Sequence, residues 1–290
     1  MTLEALSKRI ETTKDLRNIV STMKALSSAS VTQYEKAQIA LEGYLLTIRE
    51  AFHALIVNHS IALPKPRIHA QEKALVVLVG SDNGLVGPFN REMIQQASKA
   101  LEERGLSPDK NAMFITVGKR LQPLVNLEKW PLVGQFALTN SLKLISQLAT
   151  DIILHIEKYS QQVSRVDLFY HKRANGKVRI EHIKLWPYSQ SLFDTLKQEK
   201  WPTNNIPQCT EDTKTLSSFL LRERLIVTLA SILIMSLSAE HYTRMLHMQE
   251  SEHNIDDQLE EMTLAYQQAR QENITEELID IVTTTQALSN

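Results

Sequence analysis

Apolar residues recur at helical spacing along both ends of this chain and change period in the middle. Near the N-terminus the stripe runs through Leu3, Leu6 and Ile10 to Leu16, Ile19, Met23 and Leu26. After a stretch of small residues it resumes at Tyr34, Ala37, Leu41, Leu45, Ile48, Phe52 and Leu55. Near the C-terminus Met245, Met248, Glu252, Ile255, Leu259, Met262, Tyr266 and Ala269 alternate at spacings of three and four, with one polar interruption. Such alternation is the seam of a coiled coil, because about 3.5 residues per turn keep the stripe facing a partner. The nearest partner for each end is the other end. The pattern therefore predicts a long antiparallel coiled coil of residues 1–63 and 208–290. Ordinary amphipathic helices of a compact bundle are the alternative, but those typically run about 8–20 residues.

The helix breakers fall where this reading needs them. Seven of the eight glycines lie between Gly80 and Gly176, and all nine prolines lie between Pro64 and Pro207. Residues 1–63 and 208–290 contain no proline, and the last 114 residues contain no glycine. Those two residue types end helices and build turns. The ends can run as long helices; the middle cannot.

Within the middle, Ala74–Gly80 and Ala112–Gly118 are short continuous apolar runs, each with the look of a buried strand. Helical patterns occupy Arg91–Arg104, stopped by Gly105, and Ser141–Gln162. Val166–Tyr170 and Val178–Leu185 read as two strands joined through Asn175-Gly176, a dipeptide that tolerates positive φ at both centres of a tight hairpin. Strands alternating with helices predict an α/β fold with a partly parallel sheet. The expected architecture is a central Rossmann-like α/β domain over residues 70–200, flanked by the two coiled-coil helices.

Composition narrows the function. With 32 basic and 33 acidic residues in 290, the formal charge is −1, which lacks the basic field of a nucleic-acid binder. The charge is uneven: +1 over residues 1–63, +7 in the middle and −9 over residues 208–290. The one cysteine, Cys209, has no disulfide partner in the chain, which fits a reducing compartment. The first twenty residues are charged throughout, so no secretory signal is expected. The longest uncharged apolar run, Leu225 to Ala239, is fifteen residues. It would span about 22 Å, short of the ~30 Å of a bilayer core, and is expected to be a buried helix.

Tests for chemistry come back empty. The loop Gly80-Ser-Asp-Asn-Gly84-Leu-Val-Gly87-Pro88 follows a strand but carries neither a dinucleotide fingerprint nor a phosphate-binding lysine. Pro88 also removes an N–H from the helix start, where an anion would be gripped. A structural strand-to-helix turn is expected. Ser81 and Asp82 beside His69 or His171 would make a hydrolytic set only by chance, with no nucleophile elbow. His241, His247 and His253 recur every six residues, which turns them away from each other on a helix, so exposed polar positions are expected rather than a shared metal. No catalytic residue, cofactor site or metal site is assigned. Two readings remain: a mechanical protein whose coiled coil is the working part, and a small-molecule or nucleotide-binding α/β enzyme with helical arms.

Specific residues then point to a family. Ser238-Ala-Glu-His241-Tyr-Thr-Arg244-Met245, followed by Leu264-Ala-Tyr266-Gln-Gln-Ala269-Arg270-Gln271-Glu-Asn-Ile274-Thr275-Glu-Glu277-Leu278, resembles the γ subunit of F-type ATP synthases. Ser81-Asp-Asn-Gly84-Leu85-Val-Gly87-Pro-Phe89-Asn90 looks like that family's SDRGLCGGFN, and Lys8-Arg9-Ile10 with Ile19-Val-Ser-Thr-Met23 falls in its first helix. The resemblance implies a non-catalytic central-stalk rotor subunit that couples ion flow in the membrane sector to conformational change at the α/β catalytic sites. It implies as partners the α and β subunits of the head, the ε subunit and the c-ring, with no nucleic acid. Membrane association would come only through the complex, at the cytoplasmic face of the inner (plasma) membrane.

Carried over by match, Arg270, Gln271 and Thr275 would hold a loop of one β subunit, and Met23 would lie near the β-subunit lever. Glu240 and Arg244 fall where the family has polar shaft contacts. Ile274, Leu278, Ile281 and Val282 would form an apolar tip turning in a hydrophobic sleeve. The departures imply a divergent member of a proton- or sodium-translocating complex. The family's lysine-rich KITKAMEMVAASKM is here Asn18-Ile-Val-Ser-Thr-Met-Lys-Ala-Leu-Ser-Ser-Ala-Ser30, with fewer positive charges toward the acidic lever. Asn83 and Val86 replace the loop arginine and cysteine, and Thr283-Thr284-Thr285 replaces a glycine pair.

Overall fold

The computed structural model describes residues 2–58, 73–187, 190–201, 203–205, 207–208 and 212–288. His69 and Cys209 lie outside the described residues, as do residues 59–63 and 70–72 at the margins of the predicted segments and the side chains of Thr283 to Thr285. The elements run α1 (Leu3–Asn58), β1 (Ala74–Val79), α2 (Phe89–Glu102), β2 (Ala112–Val117), α3 (Gln122–Leu127), β3 (Leu132–Phe136), α4 (Leu142–Glu157), β4 (Arg165–Ala174), β5 (Lys177–Trp186), α5 (Gln190–Gln198) and α6 (Thr213–Leu288).

The two terminal helices are continuous because nothing in them interrupts. Neither contains a proline, and Gly43, the one glycine, has open space where a Cβ would stand. Asp212 caps α6 by accepting the Thr215 N–H at 3.1 Å, satisfying one of the donors left over at a helix start. The chain divides into two units, residues 1–28 with 244–290, and residues 29–243.

The 29–243 unit is a three-layer α/β structure. Its sheet has the order β3-β2-β1-β4-β5. β1 pairs in parallel with β2 and β4, β2 with β3, and only the β4–β5 hairpin is antiparallel. β1 is central, so all six of its residues are buried, which explains its continuous apolar run. Its alternate side chains serve two cores. Leu75, Val77 and Val79 meet α4 and the Leu229–Leu237 stretch of α6; Ala74, Val76 and Leu78 meet α2 and α3. The run Leu225 to Ala239 is a largely buried helix, as expected. A further cluster joins Ile48, Phe52 and Leu55 of α1 to Leu220, Leu221 and Val227 of α6 and Leu196 of α5. The hairpin turn has φ of 51° at Asn175 and 73° at Gly176, the two left-handed residues that the dipeptide predicts.

Element boundaries shift modestly. α2 starts two residues before the predicted Arg91, α4 stops five before Gln162, and β4 and β5 run to ten residues each.

The 1–28/244–290 unit is an antiparallel helix pair. Its apolar cluster is Val20, Met248 and Ile255, with Met23 and Leu259 against it. On α6 the predicted stripe is the observed one, since Met245 through Ala269 are buried or half-buried at every predicted position. On α1 the predicted stripe holds at Leu3, Leu6, Ile10 and Met23 and again from Tyr34 to Leu55, and it fails by one residue at Leu16, Ile19 and Leu26. Between Ile10 and Ser27 the side chains turned inward include Thr13, Arg17, Val20, Met23 and Lys24, while Leu16, Ile19 and Leu26 are 50%, 57% and 64% exposed. The cause is ionic. Arg17 pairs with Asp256 and Lys24 with Glu252, so charged side chains occupy the seam and lay their apolar stems along it.

Candidate functional site

A sheet of this order holds ligands, when it holds them, outside the carboxyl ends of its strands at the reversal between β1 and β4. Here that place is filled by the chain itself. Asn90 Oδ1 accepts the Ser81 N–H at 2.9 Å, and Asn90 Nδ2 donates to Ser81 Oγ at 2.8 Å. Ser81 Oγ in turn donates to the Asn83 carbonyl at 2.9 Å. Asp82 Oδ1 accepts the N–H groups of Lys119 and Leu138, both at 2.9 Å, tying together the ends of β2 and β3. Gly118 is required at this junction, because a Cβ there would stand 2.9 Å from the backbone of Gly80 and Ser81, at a φ of 116°.

Above the loop, Val86 and Phe89 pack on Ala239 of α6 and on Val178. Phe89 also stacks on His171, with ring centroids 3.4 Å apart. Burial pushes the His171 pKa down to about 3, against a smaller opposing effect of backbone groups at Val79 and Phe89. Ser81, Asp82 and His171 are thus bound to separate structural tasks. The loop is the strand-to-helix turn that the sequence predicts.

A constellation that sequence reasoning missed sits on the other core. The Asp167 carboxylate is fully buried, 2.6 Å from Arg165, 2.8 Å from His182 Nε2 and 3.5 Å from Arg104. Burial alone would raise its pKa, but the hydrogen bonds of His182 and Arg165 and the Arg165 charge outweigh it and hold the group below its usual range. Arg104 Nη2 lies 3.0 Å from His182 Nδ1. An arginine only donates, so His182 accepts at Nδ1 and turns its Nε2 proton to Asp167. This cluster ties the turn after α2 to the hairpin. Only the β4–β5 register, with Asp167 one strand from His182, could have revealed it.

The three histidines of α6 remain apart. His247 and His253 stand beside Glu250 and Asp257, each 3.9 Å away. His241 and His247 correct the expectation of exposed positions, since both are half-buried, the His241 ring 5.5 Å from that of Tyr34; His253 is exposed as expected. Among the described residues no group of side chains could hold a metal.

The residues singled out from the sequence fall into three sets. Met23 is half-buried beside the Val20–Met248–Ile255 cluster. Glu240 and Arg244 are both buried. Arg270, Gln271, Thr275, Ile274, Leu278, Ile281 and Val282 are all exposed. The pairs Arg17–Asp256 and Lys24–Glu252 fix the register, so α1 runs out near Ala269, and every described side chain from Arg270 to Val282 is exposed. On that lone stretch Gln271, Ile274, Leu278 and Ile281 follow one another at spacings of three and four and share a side of the helix. The Thr275 hydroxyl is turned inward, donating to the Gln271 carbonyl at 2.9 Å.

The fold is thus an α/β domain whose strand-end crevice is filled by its own loop, and a helix pair that ends in a single helix, an architecture suited to a stalk. The comparisons make this particular. The family model described as ATP synthase matches residues 2–288. The ATP synthase gamma chain of Azobacteroides pseudotrichonymphae is 26% identical over 297 residues, covering 99% of each chain. That of Limosilactobacillus reuteri is 27% identical, covering 96% of each. Among solved structures, the rotor of the Euglena gracilis mitochondrial ATP synthase superposes with a TM-score of 0.65 at 15% identity, over 94% of this chain and 99% of that one. The Tetrahymena thermophila central stalk and c-ring structure gives 0.59 at 16%, over 80% and 99%. At those identities the structural likeness is one of fold. The chain belongs to the ATP synthase family as a divergent γ subunit, a non-catalytic rotary stalk subunit of an F-type ATP synthase. That membership overturns the reading as an α/β enzyme with helical arms. No helix among the described residues is long and apolar enough to cross a membrane.

Proposed function

We propose that this chain transmits torque through two exposed surfaces of its helix pair: the Leu16–Ile19–Leu26 stripe of α1, with the half-buried Met23 at its edge, and the end of α6 beyond Ala269. The supporting observation is that both surfaces are helical and present exposed apolar side chains: Leu16, Ile19 and Leu26 on α1, and Ile274, Leu278, Ile281 and Val282 on α6. The α1 stripe meets the lever of a β subunit. In this chain the contact is apolar where the family's is basic, which suits a shaft whose C-terminal segment carries −9. Arg270, Gln271 and Thr275 engage a β-subunit loop, and Ile274, Leu278, Ile281 and Val282 turn in an apolar sleeve. Glu240 and Arg244, being buried, act inside the shaft.

The α and β subunits of the head, the ε subunit and the c-ring are the partners, and the assembly stands at the cytoplasmic face of the membrane. Coupling follows from asymmetry. A shaft that touches the three β subunits differently stabilises a different conformation in each, and such coupling is reciprocal.

Assembly with α and β subunits, crosslinking near Arg270 and the Arg270→Ala variant test this. Crosslinks should fall on a β subunit, and ATP-driven rotation should slow several-fold while the isolated subunit keeps its melting temperature. Unchanged rotation, or crosslinks to no head subunit, would remove Arg270 from the contact.

A further inference from the structure

We propose that an apolar cavity in the 29–243 unit is a binding site for one small, uncharged, ring-shaped molecule of benzene-to-indole size. The cavity has a volume of about 200 Å³. Ile153 and Ile156 of α4 form one wall, Val166, Leu185 and Trp186 at the ends of β4 and β5 a second, and Leu225 of α6 a third. Val163 completes the lining. Ile153, Val163, Val166 and Leu185 are themselves buried while Glu157 and Ser160 are exposed, so this is a cleft that runs from the surface into the core.

Its chemistry selects the ligand. Close-packed interiors rarely leave voids larger than a water molecule. A water placed here would need about 2–4 polar partners, and among the described residues the lining side chains with polar atoms are Trp186, through its indole N–H, and the exposed Glu157 and Ser160. The Glu157 carboxylate is turned to Arg222, 3.4 Å away. An apolar molecule gains burial without losing hydrogen bonds, whereas an ion would forfeit its hydration unpaid. The size fits, since an apolar cavity of ~150 Å³ stays dry and accepts benzene. A molecule seated here touches α4, the hairpin end and α6 together, and so holds the buried stretch of α6 to the α/β domain. The site is independent of the surfaces assigned to torque transmission.

The test uses the full chain and iodobenzene, whose heavy atom quenches tryptophan. Trp186 lies in the wall, so its fluorescence should fall saturably, with a parallel rise in melting temperature. Trp186→Phe should lose the saturable quenching and keep the thermal shift. Val163→Phe fills the hollow and Ser160→Phe, at an exposed position, blocks its mouth; each should abolish both effects. Should Val163→Phe fail to fold, Ser160→Phe decides. Quenching that rises linearly with concentration, or a thermal shift that survives Ser160→Phe, would overturn the proposal.

Discussion

Two buried titratable side chains give the 29–243 unit a pH dependence in two separable windows. His171 is held neutral in the folded chain, at a pKa of about 3, while an unfolded histidine takes its proton near 6.5. Between those values the unfolded state binds more protons, so stability is lost as pH falls from about 6.5 toward 3. Urea midpoints should be flat above pH 7 and decline below it, and His171→Phe, which keeps the stack on Phe89, should remove most of that decline. Asp167 works lower. Its folded pKa is depressed, so its contribution is complete above the unfolded value near 3.9 and fades as pH falls through the folded one. Asp167→Asn should cost about 3–5 kcal/mol at pH 7, since Arg165 and His182 lose a buried partner. The gap between variant and parent should close only below about pH 4, and urea titrations at pH 3, 5 and 7 would separate the two residues.

At the scale of elements the seam teaches what the sequence could carry. α6 was legible because its inward positions hold Met, Ile, Leu and Tyr, and its one polar member, Glu252, interrupts the stripe without displacing it. α1 was legible at Leu3, Leu6 and Ile10 and from Tyr34 to Leu55 but not between, because two of its inward positions there are Arg17 and Lys24 and the neighbouring outward ones are Leu16, Ile19 and Leu26. A rule that sends apolar residues inward chooses the wrong face when the partner helix supplies carboxylates. β1, β2 and the hairpin were legible from continuous apolar runs and Asn175-Gly176, whereas β3, with Gly134 inside it and Pro131 before it, left no pattern to read. The Asp167 cluster was invisible for another reason, since only strand register brings its members together. The ionic seam yields its own prediction. Lys24→Leu and Glu252→Leu should each lower the melting temperature by stranding a charge at the interface. The double variant should recover to at least the parent's value, because apolar side chains replace an ion pair without loss. Circular dichroism of the three proteins closes that cycle.

For the whole molecule, stability and function separate along the chain. Among the described residues of the helix pair, the buried and half-buried positions lie before Arg270, and those from Arg270 to Val282 are exposed. Substitution at Ile281 should therefore leave the isolated subunit within about 0.5 kcal/mol of its parent. In the assembled head the same position is proposed to turn against an apolar sleeve. A carboxylate placed there loses its hydration at every orientation and meets no fixed partner. Ile281→Asp should then slow ATP-driven rotation, while Ile281→Val, which keeps an apolar surface, should not. The comparison isolates the tip from the fold, because both variants share the unchanged melting temperature. Equal rotation rates for the two would mean that the lone end of α6 turns in water, and torque would have to pass entirely through the α1 stripe and the contacts around Arg270.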